Sequence, residues 1–310
     1  MPLLNTIGGA SIRSYGRGRG GGAAGLYLFT DATFTPGGMT GRTGPTLAQA
    51  ITGLTGTGVS VWENDTTFFN TSSGIQLWTV PADGDYRIET WGARGGASVS
   101  SYVGGFGSRM RGDFTLTSGD VMKILVGQMG GPSYGGGGGM TAVATSTNTP
   151  LIVSGGGNTT SPWNTAVATQ RHATTSTTGV NGWYGGSPGT SGGGGYGTAG
   201  VWGGAGFTGN PTGSDSCTAT APLSFTNGGT GGTSCNAVGG FGGGSATDGC
   251  CYGTSGAGGG YSGGSGTSGG GQYGGAGGSY NNGTNQSNSA GNTTGAQING
   301  PGICTITKLP

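Results

Sequence analysis

The sequence has little charge. Only 7% of its 310 residues are charged, the formal net charge is +1, and Lys123 and Lys308 are its only lysines. A chain that binds a nucleic-acid backbone or an anionic membrane surface normally carries a basic face. The composition therefore argues against nucleic-acid binding. Disorder is also a poor fit, because soluble disordered segments are normally rich in charge.

Long apolar runs and catalytic residue types are scarce as well. No stretch approaches the roughly 20 apolar residues of a membrane span, and the N-terminus lacks the basic and then apolar pattern of a signal peptide. We therefore expect no membrane insertion and, if the protein acts outside a cell, release by lysis or as part of a particle. Glu63, Glu89 and His172 are its only glutamates and histidine. Because these leave little for acid–base chemistry, we expect neither an enzyme nor a cofactor.

The five cysteines do not form a metal-binding pattern. They include no C-x-x-C pair, and the sequence has one histidine, so we expect no zinc site. Four of them lie in the glycine-rich part and could staple loops there: Cys217, Cys235, Cys250 and Cys251. The alternative, unpaired buried thiols, stays open because the redox compartment is unknown.

Glycine is the residue in excess. The chain has 82 glycines, roughly a quarter of its length against a usual 7% or so, and 48 of them lie between positions 155 and 300. Collagen is excluded because no Gly-X-Y period runs through the chain. Glycine runs such as GGGGYG offer no side chains to bury, but they can adopt the polyproline II conformation, whose backbone groups must bond to neighbouring segments. The glycine tract is therefore predicted to form a bundle of polyglycine II helices.

The rest of the chain has the pattern of a β protein. One short helix is predicted behind Pro45, with Leu47, Ala50, Ile51 and Leu54 on one face. Strands are predicted at 75–80, 85–91, 113–117, 121–126, 140–144, 151–154 and 303–308. Because strands precede and follow the glycine tract, we interpret it as an insertion in a β-sandwich. The expected division is a docking arm at 1–25, a sandwich at 26–154 plus 301–310, and the bundle with its loops at 155–300.

Aromatic residues within or beside polar loops of the glycine tract are the candidate contacts. They are surrounded by Ser, Thr, Asn and Gly, which suits stacking on sugar rings with hydrogen bonds at the rim. The candidate receptor-contact residues are Trp163, Trp183, Tyr184, Trp202 and Phe225. An equally strong interpretation is that each of them caps the end of a glycine helix.

Several segments resemble one known domain type. GIQLWTVPADGDYRIETWGARGG (74–96), DFTLTSGDVMKILVGQMGG (113–131), GGGGGMTAVATSTNTPLIVSGGGN (135–158) and GGFGGGSATDGCCYGTSGAGGGYSGGSG (239–266) resemble the glycine-rich domain of anaplastic-lymphoma-kinase-type receptors. The resemblance implies a TNF-like, jelly-roll β-sandwich that carries an inserted polyglycine II bundle, and it suggests a trimer. Because the sequence has no kinase segment, we expect no receptor role.

The N-terminal part has a different resemblance. MPLLNTIGGASIRSYGRG (1–18), followed by FTPGGMTGRTGPTLAQA (34–50) and GIQLWTVPADGDYRIE (74–89), is similar to glycine-rich tail and virion proteins of bacteriophages. Some phage adhesins use polyglycine II bundles to present loops to the host. The resemblance implies a virion or extracellular homo-oligomer whose arm contacts other virion proteins and whose loops contact a host-surface glycan or protein. The alternatives are an extracellular filament, in which the arm docks on the next copy, and a soluble ligand-binding module.

Overall fold

The structure, a computed structural model, describes most of the chain. The described residues are 25–97, 103–131, 135–159, 171–183, 185–198, 201–213, 219–235, 237–246, 255–267, 273–296 and 298–310. Trp163, Tyr184 and the arm up to residue 24 therefore lie outside them.

The fold is mainly β, as predicted, and its larger part is a sandwich of two antiparallel sheets. One sheet has four strands in the order β1-β14-β4-β5: Asp31–Phe34, Ile303–Lys308, Gly84–Trp91 and Arg109–Leu116. The other has six strands in the order β13-β8-β7-β6-β3-β2: Tyr280–Asn281, Pro150–Ser154, Thr141–Thr145, Val121–Leu125, Ile75–Thr79 and Phe69–Ser72. Two further ladders, each between two strands of two residues, are β9 (Tyr196–Gly197) with β10 (Thr212–Gly213) and β11 (Thr233–Ser234) with β12 (Ala237–Val238).

An aromatic core joins the two sheets. Tyr86 and Ile88 point inward from β4, as the alternation of residues 85–91 predicted, and both are buried. The Trp78 ring of β3 meets the Tyr86 ring edge to face at 5.9 Å between centroids. Phe34 of β1 contacts the same tryptophan. These contacts hold the sheets face to face and close the sandwich.

The short helix is confirmed, with a later start than expected. Helix α1 covers Leu47–Thr52, and Thr46 caps it in a capping box with Gln49. Pro45 therefore lies just before the N-cap residue and not within the first turn. A buried Ala50 on the inner face packs against the sandwich core.

Glycine-rich segments form the second body of the molecule. They have no regular ladder, yet their backbone groups bond from segment to segment: the Gly138 N–H donates to Gly157 and the Gly156 N–H donates to Gly259, both at 2.8 Å. Segments before residue 155 take part as well, since the Gly95 N–H donates to Gly105. The bundle thus includes chain from both sides of the boundary that we expected from glycine content.

The neighbours that successive residues of a glycine segment face repeat every three residues. Around 136–139, β-carbons built on successive glycines would touch three different neighbours: Val238 and Gly239 from Gly136, Ala257 from Gly137, and Ala93 from Gly138. The next residue, Gly139, returns to the first neighbour at Phe241. Three residues per turn, with lateral backbone hydrogen bonds, is the geometry of polyglycine II packing. At each of these four glycines a β-carbon would overlap the backbone of a neighbouring segment, which explains why glycine occupies these positions.

Candidate recognition surface at the far end of the bundle

The glycine segments leave and re-enter the sandwich at one side. Strands β4, β6 and β8 end at Trp91, Leu125 and Ser154, and each continues directly into a glycine segment. Strands β5 and β7 begin where the return segments end. The opposite end of the bundle, where outward and return segments are joined, is called the distal end below.

Lateral contacts run continuously across the distal end. Outward and return segments meet there just before the stretches that lie outside the described residues. The contacts that tie these segment ends together are Gly96–Gly136, Gly136–Ala246, Asn158–Arg171, Thr159–Gly256, Trp183–Tyr273, Tyr196–Gly266, Thr198–Val201 and Ser234–Ala237. The described segment ends that flank most of the undescribed stretches between residues 97 and 273 therefore lie at this one end of the molecule.

Two aromatic side chains stand exposed at the distal end. Trp183 and Tyr196 are each 46% exposed. The backbone N–H of Trp183 donates to the Tyr273 carbonyl at 2.9 Å, and the centroid of the Trp183 ring lies 6.0 Å from that of the Tyr273 ring. Tyr196 lies over the backbone of Gly186, which leaves no room there for a β-carbon. Both rings are thus held by the bundle while their outer faces meet solvent.

Trp202 and Phe225 are placed differently. Trp202 is half-buried, and its indole N–H donates to the Ala219 carbonyl at 3.3 Å, which fits the capping interpretation. Phe225 is 1% exposed and stacks on Phe207 at 4.5 Å, close to the six-stranded sheet. Our prediction of Phe225 as a receptor contact is wrong for this fold, because its ring is enclosed by other apolar side chains.

Tyr196 is the residue that our sequence interpretation missed. It stands in GGGGYG, where flanking glycines carry no side chains that could cover a ring. Phe241 stands in a similar run, GGFGGG, and is buried, so this local pattern alone does not identify an exposed ring. Val103, which is also exposed, borders the same end of the bundle.

One described cysteine, Cys235, lies at the distal end. This exposed residue is disulfide-bonded and lies in the connection between β11 and β12. Cys217, Cys250 and Cys251 lie outside the described residues, so the pairing among these four stays a prediction. Cys304 is a free thiol buried in the sandwich.

His172 is docked on the bundle as a neutral ring. Its Nδ1 accepts the Phe106 N–H at 3.0 Å, and its ring stacks on the Phe106 ring at 5.5 Å. Burial, followed by the neighbouring Arg171 guanidinium, lowers the pKa of His172 below its ordinary 6.5. Protonation would remove the acceptor and bury a charge, so the contact depends on the neutral form.

We expect low pH to destabilise the contact between His172 and Phe106 in the bundle. Because the pKa of His172 is depressed in the folded state, its stabilising contribution is complete above about pH 6.5 and is lost as the pH falls through the lower folded value. Amide exchange at Phe106 and at residues 171–173 should accelerate between about pH 7 and pH 5 after correction for intrinsic rates. The variant His172→Gln, which keeps an acceptor without titrating in this range, should abolish the acceleration. An equal acceleration in His172→Gln would contradict the assignment.

The Arg-Gly-Asp tripeptide at 111–113 is structural. It lies within β5, where Asp113 is buried and its carboxylate accepts two hydrogen bonds from Arg87 at 2.8 and 2.9 Å. The Arg87 guanidinium and the Asn285 amide lower the pKa of Asp113. A carboxylate held in this way is not available to a cell-surface receptor.

No group of three metal-ligating side chains occurs within the described ranges. Helix α1, with six residues, is far shorter than the roughly 20 residues that a bilayer requires, and no other helix of the described chain could cross one.

Comparison with known proteins gives a partial similarity to a receptor. The chain matches no protein-family model. Over 98 residues it is 36% identical to the leukocyte tyrosine kinase receptor of Mus musculus. The match covers 31% of this chain and 11% of the receptor, so the chain spans a small part of that relative's length. It supports the resemblance to the glycine-rich domain of this class of receptors.

Proposed function

We propose that the protein is a non-enzymatic adhesin of a phage virion that presents the distal end of its glycine bundle to a host surface. The observation that carries the proposal is the convergence of segment ends at the distal end. The hydrogen-bonded bundle brings many segment ends side by side there, together with the exposed rings of Trp183 and Tyr196. Loops on a rigid scaffold are the usual carriers of recognition.

The chemistry of the distal end favours a glycan or a polar protein surface as the ligand. The described residues beside the two rings are uncharged and small, including Ser187, Thr198 and Thr212. Aromatic faces supply apolar contact, and hydroxyl groups and bare backbone supply hydrogen bonds. Such a surface needs no charge on its ligand. In the virion, the sandwich and the arm would attach the copies, which assemble as a homo-oligomer.

The test is removal of the exposed rings. The double variant Trp183→Ala/Tyr196→Ala should bind cells of candidate bacterial hosts, or spots of a glycan array, about 10- to 100-fold more weakly than the unmodified protein. Its melting temperature should change little, because both rings are outside the core. Ser146→Ala, which changes an exposed side chain in the turn between β7 and β8, far from the distal end, is the control and should bind normally. Undiminished binding by the double variant would refute the proposal.

A soluble ligand-binding module is the second candidate, and the partial similarity to a tyrosine kinase receptor favours it. The two candidates share the distal end but differ in the ligand. A module of this kind would bind a purified secreted protein and would show no affinity for bacterial cells. A screen of the purified protein against both probes separates them.

A further inference from the structure

An exposed apolar strap closes the sandwich at the end opposite to the bundle. Residues 25–29 alternate: Tyr27 and Phe29 point inward onto Trp62, whereas Leu26 and Leu28 point outward and are 49% and 83% exposed. Val61, on the neighbouring short 3₁₀ turn, is 63% exposed. Three of the six large apolar side chains that are exposed in the described chain thus lie together on this face.

Carboxylates surround this strap. Of the acidic residues described, Glu89 and Asp113 pair with arginines. All the others lie at the strap end of the sandwich, in turns and strand starts: Asp31, Glu63, Asp65, Asp83, Asp85 and Asp120. The Leu26 N–H donates to the Pro81 carbonyl beside the Asp83 turn, and the Val80 N–H donates to the backbone carbonyl of Asp120. These two hydrogen bonds place the turns together. Lys308 also lies there, with its side chain beside Gly84.

The chain before residue 25 has the complementary composition. Residues 1–24 contain Arg13, Arg17 and Arg19 and no acidic residue, and they begin with an apolar segment that includes Leu3, Leu4 and Ile7. This arm joins the structure at Gly25, which is the first residue of the strap. Extended chain reaches about 3.3 Å per residue, so the arginines can reach any of the carboxylates around the strap.

We propose that the arm, residues 1–24, occupies the strap face, defined as Leu26, Leu28 and Val61 with their ring of carboxylates. The apolar start of the arm covers the leucines and Val61, and its arginines pair with the carboxylates. The inference is independent of the adhesin proposal, because it concerns the opposite end of the molecule and requires no host ligand.

The occupant is identified by three features together. The arm is the segment that emerges at this face, it has the opposite charge, and it contains apolar side chains that can cover the exposed ones. Exposed charge pairs are individually weak and are screened by salt. Several pairs around an apolar centre are the usual composition of a specific contact, with an apolar middle and a polar rim.

A photo-crosslinking amino acid in place of Leu28 tests the proposal in the full chain. After irradiation, mass spectrometry should find cross-links from position 28 to peptides of residues 1–24, and their yield should fall in about 0.5 M salt because the charges are screened. Cross-links within one chain and between two copies both support the proposal. The same probe in place of Thr212, at the distal end, should give none to the arm.

Two charge variants complete the test. Glu63→Gln/Asp120→Asn should lower the cross-link yield at least about threefold, as loss of two exposed pairs would. Thr190→Lys/Thr212→Lys changes the net charge by the same amount at exposed positions elsewhere and should leave the yield unchanged. Folding of both variants is checked by their melting temperatures. Absence of arm cross-links from position 28, or equal yields in the two variants, would overturn the proposal.

Discussion

Replacing Gly137 by alanine should unfold the glycine bundle or destabilise the protein by about 3 kcal/mol or more. The added methyl group would overlap the carbonyl oxygen of Ala257. Overpacking usually costs 1–3 kcal/mol or so when side chains can move aside. Here the obstacle is backbone, so the two segments must separate. The hydrogen bonds of Gly137 with Ser245 and Gly240, both below 3 Å, would be strained as well.

Gly300→Ala is the matched control for Gly137→Ala. A β-carbon on Gly300 would meet nothing within 4 Å, and its φ lies outside the left-handed region. Its stability should stay within about 0.5 kcal/mol of the unmodified protein. Thermal denaturation followed by circular dichroism measures both variants. Similar melting temperatures for the two would mean that close backbone packing does not stabilise the bundle.

The sequence predicted the longer strands well but not the short strands at the sheet edges. Residues 85–91 alternate strictly, so β4 could be predicted with its buried face. Strands β1 and β2, DATF and FNTS, were missed because each has four residues and little apolar pattern. They are strands because they pair at sheet edges, β1 with β14 and β2 with β3, and such long-range pairing leaves no local signal.

The candidate surface was predicted only in part for a similar reason. Glycine content located the bundle, and polar surroundings marked Trp183 correctly as an exposed ring. The same criterion misplaced Phe225, because nothing in the segment APLSFTN indicates that Phe207 covers the ring. Exposure in a glycine bundle depends on which neighbouring segment lies above a ring. That depends on lateral packing, which composition alone does not specify.

The position of the strap face bears on the kind of assembly. The arm leaves the sandwich at the same end at which we propose that it docks. Exchange of arms between copies would therefore join like ends, and contacts between like ends give closed oligomers such as dimers or trimers. An open filament would need the arm of one copy to reach the distal end of the next. The proposed docking thus favours the adhesin over the filament.

Phe241→Ala should separate the unfolding of the bundle from that of the sandwich. Phe241 is buried where the two meet, in one apolar cluster with Leu125, Met140 and Phe207. Its N–H and carbonyl bond to Gly41 and Gln128, so the ring is anchored from both sides. Truncating a buried phenylalanine costs about 3–5 kcal/mol. Ordering a glycine backbone costs about 1–2 kcal/mol per residue, so the bundle depends on its attachment to the sheet.

The measurement is hydrogen exchange resolved by segment. In Phe241→Ala, amides of the bundle between residues 190 and 280 should exchange well before those of β4 and β14, whereas in the unmodified protein both should open together. Phe68→Ala is the control, because Phe68 is an aromatic residue of the sandwich that packs on Tyr27, far from the bundle. It should lower the stability of the sandwich and of the bundle together. If Phe241→Ala also destabilised both bodies equally, the bundle would hold itself together without the sheet as a template.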